Sequence, residues 1–161
     1  MENPLRRPEE ILAFRSLRQI LATKPKVLWT VAPADTVLTA VQIMVDKDIG
    51  LLAVIDGGTL AGVLSERDCA RRVLLAKKSP ESTLVADVMV RNVVTIDVGR
   101  TFADCLRLMH QHGIRHLPVV DNGKVITVVS IRDLLGEAVT HHAKIIEELE
   151  RERLTIFTST A

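Results

Sequence analysis

Aromatic side chains are nearly missing from this chain: it has no tyrosine, one tryptophan (Trp29) and three phenylalanines in 161 residues. Any sizeable core must therefore be aliphatic, and 47% hydrophobic residues supply enough Val, Ile, Leu, Ala and Met to build one. No charge sign dominates, since 21 Lys and Arg stand against 20 Asp and Glu for a net charge of +1. That balance lacks the electrostatic footprint of a nucleic-acid or anionic-membrane binder, although a local basic pocket for a small anion stays open. No stretch approaches the roughly 18 apolar residues of a membrane span. The start, Met1-Glu2-Asn3-Pro4, lacks the apolar run of a signal peptide. The only two cysteines, Cys69 and Cys105, have no metal-ligand spacing and fall in helical patterns, as expected of small buried thiols in a reducing compartment. A Walker-type loop and a Rossmann fingerprint are also absent. The expectation is a cytoplasmic protein with neither a nucleic-acid nor a membrane partner.

What the chain does have is an internal repeat at an offset of 65 residues. Aligned without a gap, Ile49 meets Ile114, Leu52 meets Leu117, Val54 meets Val119, Asp56 meets Asp121 and Gly58 meets Gly123. Val63, Ser65, Arg67 and Asp68 then meet Val128, Ser130, Arg132 and Asp133, which makes nine identities in the 20 positions from 49 to 68. Upstream, Thr30, Thr36 and Met44 pair with Thr95, Thr101 and Met109. Chance does not give this, so the chain holds two copies of one unit.

Each copy reads as strand, helix, strand, strand, helix. The leading strands are expected at Val27 to Val31 and Val93 to Ile96. The first helix of each copy follows from apolar residues at three- and four-residue spacing: Val37, Ala40, Val41, Met44 and Val45, then Phe102, Cys105, Leu106 and Met109. Gly50 and Gly113 lie near the ends of these helices, where a left-handed residue is useful. Asn122-Gly123 is a strong hairpin signal, because a type I′ turn needs positive φ at both central residues, and Gly57-Gly58 takes its place in the first copy. The closing helices are expected at Glu66 to Ala76 and from Ile131 into the 140s. Flanking the copies are an amphipathic helix over Pro8 to Leu21 (Ile11, Leu12, Leu17, Ile20 and Leu21), a charged helix over 141–153 and a loose tail from Thr155 to Ala161. The resulting division is 1–23 flanking helix, 24–78 first repeat, 79–84 linker, 85–140 second repeat and 141–161 helix and tail.

The informative segments are Ser65-Glu66-Arg67-Asp68 and Ser130-Ile131-Arg132-Asp133, each where a strand runs into a helix. Ser-x-x-Asp resembles a capping box, with Ser at the N-cap and an acidic residue at N3. The other reading is a ribonucleotide site. A helix N-terminus attracts phosphate, Ser can donate its hydroxyl, Arg can pair with phosphate, and Asp can accept bonds from two ribose hydroxyls. Capping alone needs no Arg at the third position, and both copies keep it.

On these segments the chain resembles a CBS-domain pair, or Bateman module. The resemblance is carried by Leu60-Ala61-Gly62-Val63-Leu64-Ser65-Glu66-Arg67-Asp68, Ile114-Arg115-His116-Leu117-Pro118-Val119-Val120-Asp121 and Val128-Val129-Ser130-Ile131-Arg132-Asp133, and it covers about residues 24–140. It implies an α/β (α+β) fold of two tandem β-α-β-β-α repeats packed with pseudo-twofold symmetry, with two ligand clefts between them. One site would combine Val128, Ser130, Arg132 and Asp133 with Lys24, Val27, Trp29 and Ile49, with Arg115 and His116 near its phosphates. The other would combine Val63, Ser65, Arg67 and Asp68 with Met89, Asn92, Val94 and Ile114. Where the second copy has Arg115-His116 the first has Gly50-Leu51, so the first-named site is the more basic and suits a phosphorylated ligand. Thr127 stands where the family's usual Gly, kept as Gly62 in the first copy, would be, and its side chain would narrow that same site.

The resemblance implies a non-catalytic regulator of adenine nucleotides: AMP first, with ADP, ATP, NAD and S-adenosylmethionine as alternatives. It would act as a homodimer on an effector protein in trans. A structural dimerisation module without a physiological ligand is the alternative. No catalytic residues and no metal are expected: His110, His112 and His116 have no matching carboxylate or Cys, and neither Ser65 nor Ser130 has a His at a paired offset. Trp29 could stack on adenine or fill a gap in the core.

Overall fold

The structure, a computed structural model, describes residues 14–24 and 27–159, with side chains as far as Arg151. The elements are α1 (Leu17–Ala22), β1 (Thr30–Val31), α2 (Val37–Lys47), β2 (Leu51–Asp56), β3 (Thr59–Ser65), α3 (Glu66–Cys69), α4 (Val85–Val88), β4 (Ile96–Asp97), α5 (Phe102–His112), β5 (His116–Asp121), β6 (Lys124–Ser130) and α6 (Ile131–Ser159). The sequence order of strand, helix, strand, strand, helix is thus realised twice. Both sheets have three strands, in the orders β1-β2-β3 and β4-β5-β6. In each the leading strand lies parallel to the middle one, with Thr30 opposite Ala53 and Ile96 opposite Val119.

The repeated residues explain why both copies fold alike. Thr36 and Thr101 are the N-caps of α2 and α5, each accepting from the backbone N–H three residues on. Ile49 and Ile114 each donate a backbone N–H, at 3.0 Å, to the carbonyls of Met44 and Met109, closing the same C-terminal turn. Leu52, Leu117, Val54 and Val119 are wholly buried in the middle strands. The hairpins turn at Gly57 and Gly58 (φ 53° and 82°) and at Asn122 and Gly123 (φ 49° and 78°), as a type I′ turn requires.

Two compact units emerge. One holds both sheets with α2, α3 and α4; the other holds α1, α5 and α6. The core of the first is aliphatic, as the missing aromatics dictate, with Val31, Val37, Met44, Leu52, Val54, Leu64, Val73, Val85 and Val88 among its members. The second buries Leu17, Cys105, Met109 and Leu134. Phe14 stacks on Phe102 there, with ring centroids 4.3 Å apart.

Several elements differ from expectation. The leading strands are only two residues long, so Val27 to Trp29 and Val93 to Thr95 stay outside the ladders. The left-handed residue ending α2 is Asp48 (φ 50°), the true partner of Gly113 at the repeat offset, and not Gly50. The helix expected over Glu66 to Ala76 widens after Cys69 into π-helical turns over Ala70–Leu74, which bury Val73. The tail expected to be loose from Thr155 continues α6 to Ser159. Of the N-terminal helix, α1 is seen, while Ile11 and Leu12 lie outside the described residues.

Candidate functional site

Both Ser-x-Arg-Asp segments form a closed corner at the strand-to-helix junction. At the first, the Ser65 hydroxyl donates to Asp68 Oδ2 at 2.5 Å, the Ser65 N–H donates to the same oxygen at 3.1 Å, and the Asp68 N–H returns to Ser65 Oγ at 3.2 Å. At the second, the Ser130 N–H and hydroxyl each reach Asp133 Oδ2 at 2.8 Å, and the Asp133 N–H returns to Ser130 Oγ at 3.2 Å. The capping box read from the sequence is therefore present at both corners. Each serine hydroxyl thus donates to the carboxylate of its own cap.

A second repeated bond positions the residue beside each corner. The Glu66 N–H donates to the Gly50 carbonyl at 3.2 Å, and the Ile131 N–H donates to the Arg115 carbonyl at 2.8 Å. Arg115 is thereby anchored next to the Ser130–Asp133 corner, where the first copy has a glycine. The space at Gly50 is instead approached by Glu66 Oε2 and by the His116 ring, each 3.4 Å from where a Cβ would stand. His116 thus lies against Gly50.

The carboxylates also differ in their cationic neighbours. Asp133 Oδ2 forms an ion pair with Lys24 Nζ. Burial raises the Asp133 carboxyl, but Lys24 and the Ser130 backbone and hydroxyl outweigh it and hold the carboxyl below its ordinary range. Asp68 has Arg72 instead, with Nε 3.8 Å from Oδ1. Arg72 Nη1 also donates to the carbonyls of Val88 at 2.9 Å and Met89 at 3.3 Å. The sequence reading missed Arg72, although its position four residues after Asp68 on a helix was the available signal.

The first corner is also closed by a backbone ladder. Val63 and Val90 exchange two hydrogen bonds, at 3.0 and 2.8 Å, tying β3 to the opening segment of the second repeat. A Cβ on Gly62 would stand 2.8 Å from the Val90 carbonyl oxygen and 2.9 Å from Met89 Sδ, so only glycine fits. At the repeat offset, Gly62 corresponds to Thr127 and Val90 to Pro25, which has no N–H to donate.

Of the other expected site residues, Asn92, Arg67, Arg115 and Arg132 are exposed, while Val94, Ile49, Ile114 and Val128 are half-buried. Val63 and Met89 are buried. Lys24, Arg115, Ser130, Arg132 and Asp133 share the helical unit, whereas Val27, Trp29, Ile49 and Val128 belong to the unit with the sheets. Trp29 fills no core gap: it is 39% exposed, and Lys47 Nζ stands 4.5 Å from its ring centroid. Among the described residues no group of His, Cys, Asp or Glu could hold a metal ion, and no helix is long and apolar enough to cross a membrane. Cys69 and Cys105 are free and buried, and burial together with the adjacent Asp68 and Asp104 pushes their thiols up to about 11.

The family model for the CBS domain matches residues 17–75 and again 85–139. A mitochondrial CBS domain-containing protein of Arabidopsis thaliana, CBSX3, is 31% identical over 158 residues, covering 92% of this chain and 75% of that protein. Among solved structures, a candidate signal-transduction protein with CBS domains from Burkholderia ambifaria MC40-6 is 38% identical with a TM-score of 0.76, over 78% of this chain and 95% of that one. The CBS domain pair of protein MJ0100, solved with 5′-methylthioadenosine and S-adenosyl-L-methionine, shares the fold at a TM-score of 0.66 and 24% identity, over 74% of this chain and 96% of that one. With the duplicated β-α-β-β-α unit and its matched corners, these likenesses show that the chain belongs to the CBS-domain family as a tandem pair of CBS domains.

Proposed function

We propose that this CBS pair is a non-catalytic regulatory module that binds an adenine nucleotide in a cleft between its repeats, at the Ser130–Asp133 corner, and signals to another protein in trans. The observation that carries this is the charge gathered at that corner. Lys24 pairs with Asp133 there, Arg115 is tied to the corner through its carbonyl, and Arg132 stands in the first turn of a 29-residue helix whose dipole also favours an anion. AMP stands first, with ADP, ATP, NAD and S-adenosylmethionine as alternatives; the adenosyl ligands of the MJ0100 pair support this class of compound. Arg115 and Arg132 would face the phosphates and Asp133 the ribose. The Ser65–Asp68 corner, with Arg67 of the same repeat and Asn92 and Val94 of the second, is the second and weaker site. The buried thiols suit a reducing, cytoplasmic setting.

A native-state ligand at a hundred times its Kd stabilises by about 2.7 kcal/mol, which corresponds to a rise of roughly 5–11 °C in Tm for a chain of this size. Thermal denaturation with each of the five ligands should show such a rise for at least one. Asp133→Ala should abolish it while the variant still folds, and Asp68→Ala should keep most of it. No rise with any ligand removes the proposal. The capping boxes favour a second reading, a dimerisation module whose Ser and Asp only cap helices; under it both variants lose stability and no ligand shifts Tm.

A further inference from the structure

The ion pair between Lys24 and Asp133 joins a cation and a carboxylate that both belong to the proposed nucleotide site, the carboxylate being the one that would face the ribose. Without ligand they satisfy each other. Asp133 Oδ2 already accepts from the Ser130 N–H and hydroxyl as well as from Lys24, so a ribose that engages both carboxylate oxygens must displace the ammonium from Oδ2. Lys24 and Asp133 are largely screened from water, with 31% and 20% of their side chains exposed, so the displaced ammonium regains little hydration unless it moves. A phosphate offers it a new anionic partner; a bare nucleoside does not. The Ser65–Asp68 corner is built differently: at the repeat offset Lys24 corresponds to Met89, which is 5% exposed and packs against Gly62, and Asp68 pairs instead with Arg72 of its own helix.

We infer that Lys24 determines the ligand class of the Ser130–Asp133 corner, closing Asp133 to adenosyl compounds without a phosphate and yielding it to those that carry one. The inference rests on the nucleotide reading and narrows it: S-adenosylmethionine, which carries no phosphate, drops out of the ligands named for this corner. Lys24 is a specificity residue by exchange: it leaves the carboxylate for the phosphate, and the ribose hydroxyls then satisfy the carboxylate.

The test is isothermal calorimetry of AMP and adenosine on the full chain, comparing the unaltered protein with Lys24→Met, the residue of the other repeat, and Lys24→Arg. The unaltered protein should prefer AMP over adenosine by well over tenfold. Lys24→Met should weaken AMP and leave adenosine equal or tighter, collapsing that ratio by roughly tenfold or more, and Lys24→Arg should restore it. A loss of the same factor for both ligands in Lys24→Met overturns the inference while leaving the nucleotide site intact, since Lys24 would then be only a structural contact. Binding of neither ligand to the unaltered protein overturns the nucleotide reading itself, and the inference with it. Circular dichroism of each variant separates misfolding from lost binding, and Lys24→Gln, which removes the charge but keeps a polar side chain, replaces Lys24→Met with the same expected collapse of the ratio if that variant does not fold.

Discussion

Glu137 is a carboxylate that this fold keeps charged in a buried position. Its side chain is 4% exposed and forms an ion pair with Arg15, whose Nε lies 2.7 Å from Oε1. The Arg15 guanidinium, working against burial, holds the Glu137 carboxyl below its ordinary range. A depressed carboxyl contributes stability at pH values above its unfolded pKa and loses that contribution as pH falls through the lower folded value. Because Arg15 is itself a third exposed, Arg15→Ala should cost about 1–3 kcal/mol at pH 7, below the full cost of an unpaired buried charge. Urea denaturation at pH 7 and at pH 3 should show the gap between variant and unaltered protein shrinking with acid. A second residue with a definite cost is Gly62. An added methyl would meet a backbone oxygen at 2.8 Å, which cannot swing away, so Gly62→Ala should cost about 1–3 kcal/mol in the same experiment. The mismatch between Gly62 and Thr127 was visible in the sequence. Its reason was not, because the oxygen belongs to Val90, 28 residues further along a chain whose path only the fold defines.

At the scale of elements, much was legible because the chain states each element twice. The paired threonines cap α2 and α5, the paired isoleucines close them, and the paired turns have the positive φ their residues suggested. The misreadings have local causes. Gly50 was placed at the end of α2 because glycine is the usual left-handed residue, yet aspartate also tolerates that conformation and Asp48 takes it. The end of α6 was cut short, although no Gly or Pro follows Gly136 to stop a helix. These two helices make glycine-to-alanine exchanges of opposite sign. Gly113 ends α5 at φ 61°, so Gly113→Ala should lose about 1 kcal/mol even though the space around it is open. Gly136 sits inside α6 with equally open space, so Gly136→Ala should gain up to about 1 kcal/mol. Midpoints of chemical denaturation, at unchanged slope, measure both.

For the whole molecule, the duplication made the architecture and the two corners readable, whereas the pairing of Lys24 with Asp133, 109 positions apart, needed the fold. The outward face of α6 was equally hidden, because a helical stripe read from sequence does not say which side is covered. Leu134, Glu137 and His141 face inward, while Leu135, Val139, Ile146 and Leu149 are 57–71% exposed. Leu135 and Leu149 lie seven residues on either side of His142, and Val139 and Ile146 three and four, so two antiparallel copies of the helix would set aliphatic against aliphatic about a twofold axis. Such a stripe on a monomer would be costly to leave in water, and a second copy covers it without any further partner. A homodimer, as the family resemblance implies, should therefore assemble at least partly through α6. Light scattering should give a dimer mass for the unaltered chain, and its Tm should rise with protein concentration, because association stabilises by mass action. Ile146→Lys with Leu149→Lys should give a monomer whose circular dichroism is unchanged and whose Tm no longer depends on concentration. A dimer that survives both substitutions would place its interface elsewhere, and a monomeric unaltered chain would leave this face for a different protein, the effector in trans being the first to test.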